Sequence, residues 1–302
     1  MLKWFQCPDK QLIEVTQCLT KCRMSYRCWT KPTLSVMGKE REWHGVPSTT
    51  QLLNGTMLEF LKLTKDYSVD PQDRAFALHG THVHESLEQA AKELGLPSEI
   101  AMSVDRDVFD LLEPDGDGWI LTDNKTWGSY RVVRALGLVA VGKVPDPSGE
   151  VYKTSGKWGK AGSPKMVNKF QIEADKADMW ETEMQLNRYR VMLEERGLNI
   201  TKMQCQIIVR DGGLEISRSR GIDRNGYLIP VRRLDSNQVV DYFHKKYTDL
   251  LQAMEAHSWT EVCNPRECWD DRRCVGYCEV ALYCTKGILL HTGENVNVGQ
   301  TE

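Results

Sequence analysis

The stretch 107–126, DVFDLLEPDGDGWILTDNKT, limits what this chain can fold into more than any other. Two runs of β-branched, aromatic and aliphatic residues flank a turn-forming centre, Pro114 to Gly118, and that order specifies a β-hairpin. Side chains alternate between the faces of a strand, so Trp119, Leu121, Asp123 and Lys125 point one way. Asp110, on the first strand, joins that face only if it lies across from an odd-numbered residue of the second. Barring a bulge, this needs an even number of residues in the loop. Two carboxylates on one surface repel each other, and a divalent cation with oxygen ligands resolves the conflict. A lysine beside them can orient water or stabilise charge as a phosphodiester is attacked. Taken alone, the same residues also describe a solvated hairpin. Asp115-Gly-Asp117-Gly118 reads as a turn and not as a calcium loop, because the twelfth position from Asp115 is Thr126 where such a loop carries glutamate.

The flanking sequence supplies helices and further strands. Pro47 to Gln51 opens a helix with Leu52, Leu53, Met57, Leu58 and Leu61 on one face, Gly55 being its weak point. A second helix over 76–94 stops before Gly95 and aligns Val83, Leu87, Ala90, Ala91 and Leu94, with His84 and Glu88 one turn apart on a neighbouring edge. Residues 175–196 form a helix built on Met179, Met184, Leu186, Tyr189 and Leu193, ended by Gly197. MQCQIIVR and YLIPVRR read as strands, and 236–256 as a last helix. The fold class is α/β.

Four segments then stand in a telling order: GTHVHESLE (80–88), FDLLE (109–113), TDNKTW (122–127) and QLNRYR (185–190). Over residues 48–200 the chain resembles the RecB-like PD-(D/E)xK nucleases, a family that includes CRISPR-associated RecB-like exonucleases. The resemblance implies a restriction-endonuclease-like core, a central mixed sheet flanked by helices. It also implies Mg²⁺ or Mn²⁺ as cofactor and DNA as substrate, in recombination, repair, phage DNA processing or CRISPR spacer preparation, with recombination or CRISPR proteins as partners. Residue by residue, His84 matches the family's helix histidine, with Gly80 opening its pattern and His79 and His82 as neighbouring competitors. Asp110 matches the first metal-binding aspartate, Asp123 the acidic residue before x-K, and Lys125 the motif lysine. Gln185 and Tyr189 match a Q-x-x-x-Y signature beside the active site. Glu88 is either a further ligand or a solvated helix residue, and Tyr189 suits a core position equally well.

Both ends are rich in cysteine and repeat one spacing. Cys7, Cys18, Cys22 and Cys28 are separated by ten, three and five residues, as are Cys263, Cys274, Cys278 and Cys284. Two four-thiolate sites, holding zinc or a [4Fe-4S] cluster, account for the match and would stabilise segments poor in apolar residues. Some RecB-like nucleases hold a cluster with one cysteine before the nuclease motifs and three after; four on each side departs from that pattern, and one shared site would require the ends to meet. Disulfides are the alternative, disfavoured by the absence of an export-signal pattern at the start. Cys205 reads as a core residue, and Cys268 as a spare ligand. The expected organisation is a Cys-rich module over 1–47, a nuclease core over 48–256, and a Cys-rich module and tail over 257–302.

The formal net charge of -3 excludes a uniformly basic coat, yet residues 131–170 hold eight Lys and Arg against two acidic residues. Within them, Lys153, Lys157, Lys160 and Lys165 surround Trp158. Lysines can neutralise phosphates while an aromatic stacks on an unpaired base, although a solvated loop has the same composition. Trp127 and Tyr130 either extend that surface or pack inward. No apolar run reaches the ~20 residues of a membrane helix, so the expected setting is cytoplasmic with no membrane partner. The rival to an enzyme is a catalytically silent DNA-binding or assembly protein on the same fold.

Overall fold

The computed structural model describes residues 1–293 apart from 25, 41, 103–106 and 158. The chain opens with strands β1 (Leu2–Gln6) and β2 (Leu12–Glu14) and helices α1 (Val15–Thr20) and α2 (Lys31–Met37). Helices α3 (Thr49–Leu53) and α4 (Thr56–Thr64), strand β3 (Tyr67–Val69) and the long helix α5 (Pro71–Glu93) follow. Strand β4 (Ser98–Ala101) leads into the hairpin β5 (Val108–Asp115) and β6 (Gly118–Trp127). Beyond α6 (Ser129–Leu136), a two-stranded arm, β7 (Leu138–Pro145) and β8 (Met166–Ile172), precedes α7 (Trp180–Glu194). The chain continues through β9 (Ile200–Val209), α8 (Glu215–Ser219), β10 (Gly226–Pro230) and α9 (Ser236–Glu255) to α10 (Arg272–Gly276) and α11 (Thr285–Thr292).

Five strands form a mixed central sheet in the order β10-β9-β6-β5-β4, flanked by helices. β6 and β9 run parallel and the other pairs antiparallel. A parallel pair needs a long return connection, here α6, the arm and α7. The hairpin loop has two residues, Gly116 and Asp117, because Asp115 pairs with Gly118. Gly116 stands at φ +63°, the left-handed conformation that hairpin turns of this length demand at their first central position. The register places Leu112 opposite Leu121 and Leu111 opposite Thr122, which carries Asp110 across from Asp123. The even loop thus puts both carboxylates on one face.

That face of β6 and β9 is also the core face. Leu121, Met203, Cys205, Ile207 and Val209 are buried against Val132 and Ala135 of α6 and Leu186, Tyr189 and Leu193 of α7. Cys205 is completely buried, as a core residue should be. α7 ends as its sequence requires: Gly197 takes φ +82°, and the Leu198 amide returns to the Leu193 carbonyl.

Helix boundaries differ from the sequence expectation in three places, the first being α7, which begins at Trp180 and not at 175 because residues 174–176 form a separate 3-10 turn. α5 begins five residues early, at Pro71, where Asp70 caps the Gln72 amide at 2.9 Å and proline fits the first turn. Its proposed apolar stripe is only partly used, since Leu94 lies 75% exposed beyond the helix end. The helix expected from 48 is two helices broken at Asn54 and Gly55. α3 is opened by a capping box between Ser48 and Gln51, and Asn54, at its C-terminal end, donates to Glu59 of the next helix at 2.6 Å. Gly55 is required there because a Cβ would lie 2.2 Å from the Cys263 sulfur.

That contact reflects a larger arrangement. β1 pairs with β2 and, in parallel, with β3, so the first residues share a sheet with residues 67–69. Cys7 and Cys18 from the N-terminal segment and Val280 from the C-terminal one belong to one apolar cluster with Met57, Leu58, Phe60 and Leu61 of α4 and Leu250 of α9; Cys28, Cys263, Cys278 and Cys284 pack against it. The two Cys-rich ends therefore meet over α4 and α9.

Candidate metal and active site

Asp110, Asp123 and Lys125 converge on the core face of the hairpin. The Lys125 ammonium lies 2.8 Å from the Asp123 carboxylate and donates to Gln185 Oε1 at 3.4 Å. Gln185 in turn donates to the Tyr189 hydroxyl one helical turn away, also at 3.4 Å. Tyr189 is a buried core aromatic whose hydroxyl pKa burial pushes up to about 12. It holds the amide of Gln185 toward Lys125. Burial opposes the charge on Lys125, but the Asp123 and Asp110 carboxylates outweigh it and hold its pKa above the ordinary lysine value.

α5 brings the third element. His84 Nδ1 lies 3.7 Å from Asp110 Oδ2, whereas His79 and His82 are exposed and His82 faces Glu85. Among the three histidines, His84 is the one aimed at the hairpin. Gly80 faces β6, where a Cβ would meet the Thr126 hydroxyl at 3.4 Å, an ordinary contact. Glu88 pairs with Lys92 on the helix surface and does not join the site.

Glu99 on β4 does join it, and nothing in the sequence singled it out. Its carboxylate stands 3.7 Å from His84 Nδ1, and one ligand atom each from His84, Glu99 and Asp110 lie within 4.8 Å of one another. The antiparallel pairing of Ile100 with Phe109 and Ser98 with Leu111 sets Glu99 across from Asp110. Glu99 has φ +49°, a conformation that costs a non-glycine residue roughly 1–2 kcal/mol. A glutamate shortly before the first strand of the hairpin was the available signal, but it lacked any periodicity to place it.

The electrostatics of the cluster are unbalanced. Burial, then the neighbouring Asp123, push the Asp110 carboxyl up to about 7, against the pull of Lys125 and His84 and of the Asn124 amide that donates to it at 2.6 Å. The Glu99 carboxylate holds the His84 imidazole above its ordinary pKa, with burial opposing and Asp110 adding to the rise. Side-chain exposure increases from Asp123 (3%) through Asp110 (11%) and Glu99 (26%) to His84 (33%), so the cluster opens to solvent on the helix side. Asp123 lies beyond the His84–Glu99–Asp110 group, engaged by Lys125. The residues placed to hold a cation are therefore His84, Asp110 and Glu99, with Asp123 and Lys125 forming the inner wall.

The remaining candidates are spread out. Lys153, Lys157 and Lys160 are exposed on the loop of the arm, and Lys165 pairs with Glu150. Trp158 lies outside the described residues. Trp127 stacks under the Arg131 guanidinium at 5.2 Å, and the half-exposed Tyr130 accepts from Arg272 at 2.9 Å. Within each end the cysteines are neighbours: the thiol of Cys18 is raised by burial and then by Cys22, Cys7 and Cys28, and that of Cys274 by burial and then by Cys268, Cys278 and Cys284. Among the described residues no three sulfurs lie within 4.8 Å of one another, so as placed neither set forms a closed four-thiolate site.

No family model and no curated protein matches the chain. Among solved structures, the crystal structure of SSO0001 is similar over 84% of this chain and 92% of that one, at 15% sequence identity and a TM-score of 0.41. Among the described residues, no helix is long and apolar enough to cross a membrane.

Proposed function

We propose that the protein is a metal-dependent deoxyribonuclease of the RecB-like PD-(D/E)xK type, hydrolysing DNA phosphodiester bonds with water. The observation that carries this reading is the convergence of His84, Glu99 and Asp110 beside the Asp123–Lys125–Gln185 chain. One imidazole and two carboxylates suit Mg²⁺ or Mn²⁺, and Asp110 is driven toward protonation by burial and then by the neighbouring Asp123 carboxylate, a cost that a cation would offset. Such an ion would supply Lewis acidity and lower the pKa of water. The protein's own groups do the rest. Lys125, kept cationic between two carboxylates, faces the site where negative charge develops on the phosphate, and Gln185 fixes its direction. Asp123 neutralises and positions that lysine.

The Cys-rich ends are read as structural elements. Zinc or an iron-sulfur cluster would require the sulfurs of a set to draw together, and metal analysis of anaerobically purified protein decides between metal and bare thiols. The functional test is degradation of labelled single- and double-stranded DNA with Mg²⁺ or Mn²⁺, by wild type, Asp123→Ala and Lys125→Ala. Cleavage by wild type alone is expected. Wild type and variants that are equally inactive on both substrates, yet bind DNA equally, would replace the enzyme with a DNA-binding scaffold.

A further inference from the structure

A cleft of about 440 Å³ lies between α6, the start of α7 and the segment 264–272. Four arginines line it, Arg131, Arg134, Arg266 and Arg272, together with Trp180 and Trp269. The sequence marked Arg131 and Arg134 only as part of the basic stretch 131–170 and the other lining residues not at all, because the three segments are far apart along the chain. Resting on the nuclease reading above, we infer that this cleft binds the DNA strand next to the scissile phosphate, taking phosphate on its arginines and a base against its aromatic and guanidinium planes.

Two connections put the cleft beside the catalytic cluster. Trp127 follows Lys125 by two residues on the same strand face, a rise of roughly 7 Å, and its ring carries the Arg131 guanidinium that lines the cleft. Glu181, also in the lining, precedes Gln185 by one turn of α7, and Gln185 touches Lys125. A strand with one phosphate at Lys125 would therefore reach the cleft with a neighbouring nucleotide.

The charges inside are arranged in depth. Carboxylates reach three of the four arginines: Glu181 takes Arg131 at 3.2 Å and the Trp269 indole N–H at 3.4 Å, while Asp178 takes Arg134 and, at 3.6 Å, Arg266. Asp270 also lies on the wall. Arg272 is different. It is exposed, and its guanidinium donates to two neutral oxygens, the Trp269 carbonyl at 3.2 Å and the Tyr130 hydroxyl at 2.9 Å. Arg266, 55% exposed, stacks over Trp180 at 5.1 Å. The two outward guanidiniums thus stand at the mouth, one over an aromatic ring and one without a carboxylate partner among the described residues. That is the combination single-strand binders use, cation for the backbone and flat surface for the base.

The test measures the affinity of the full-length chain for a fluorescein-labelled single-stranded oligonucleotide by anisotropy across a salt series, in an Asp123→Asn background that suppresses cleavage. Arg266→Gln with Arg272→Gln should weaken binding by roughly tenfold and lower the slope of log affinity on log salt by about 1.4, two single-strand phosphate contacts. Arg272→Lys should restore part of the slope, and Trp269→Phe should bind more tightly than Trp269→Ala. Circular dichroism checks that each variant is folded. A folded double-glutamine variant with unchanged affinity and slope, alongside a wild type that still cleaves, overturns the cleft and leaves the nuclease reading standing. A wild type that neither binds nor cleaves DNA overturns both.

Discussion

Replacing Asp110 by Asn should stabilise the cation-free protein, and more so as the pH rises. Its carboxyl titrates near 7 in the folded chain, raised from 3.8 by burial and then by Asp123. A raised carboxyl favours folding fully only below its unfolded pKa, and that advantage is lost as pH climbs through the folded value. A shift of this size corresponds to about 4 kcal/mol of lost stability at pH 8, of which about 2–3 kcal/mol is lost between pH 5 and pH 8. His84 acts in the same direction, since its raised pKa means that stability gained on protonation disappears as pH rises. Asn keeps the shape and an acceptor for the Asn124 amide without a charge to desolvate. In thermal melts without divalent cations, the variant should gain several degrees over wild type at pH 8 and little at pH 5. Adding Mn²⁺ should reverse the order, because only the wild type retains the anionic carboxylate at 110 and binding stabilises the folded form. If Asp110→Asn melts lower than wild type at pH 8 without cation, or its effect ignores pH, the account of a carboxylate held there at a cost is wrong.

Lys125→Met should lower cleavage by about 10²–10³-fold in steady-state assays, and Lys125→Arg should fail to rescue it because a planar fork does not fit between Asp123 and Gln185. Arg190 is completely buried and donates to Glu194, Asn187, Ser236 and the Leu234 carbonyl; Arg190→Met strands those acceptors and should cost about 3–5 kcal/mol in denaturant unfolding. Gly287→Ala would place a Cβ 2.0 Å from the Ala281 carbonyl oxygen, which backbone cannot evade cheaply. A loss of about 1–3 kcal/mol is expected by thermal or chemical unfolding.

What could be read from the sequence was local. The pairing of Asp110 with Asp123 followed from alternation and the parity of a two-residue loop, both properties of a few adjacent residues. The one-turn spacing of Gln185 and Tyr189 was equally plain, but their partners were not, since contact with Lys125 depends on how α7 crosses the sheet. Glu99 was invisible for a related reason: its position comes from strand pairing and a left-handed backbone, and SEIA carries no pattern announcing either. The start of α5 is legible in Asp70-Pro71, a capping residue and a first-turn proline, although the apolar periodicity begins only later. The meeting of the two Cys-rich ends, and the closeness of Cys263 to Gly55, belong to the tertiary packing of α4 and α9, which spacing alone cannot encode.

The site also has to be explained against its own cost. Asp123 is almost fully buried and Asp110 nearly so, on a sheet face otherwise lined by Leu121, Met203, Cys205 and Ile207. Apolar residues of similar volume at 110, 123 and 125 would continue that core, and buried ion pairs replaced in this way commonly leave a protein equally or more stable. Glu99 adds a strained backbone to the same cluster. Folding therefore gives no reason for these groups to be here, and the Asp110 carboxyl, raised by burial and then by Asp123, stays high despite Lys125. A cation bound on the open side, next to His84 and Glu99, would supply the missing charge. The arginine cleft, whose Glu181 lies one helical turn from Gln185, would then have a use as well, delivering a phosphate to this polar part of the core face.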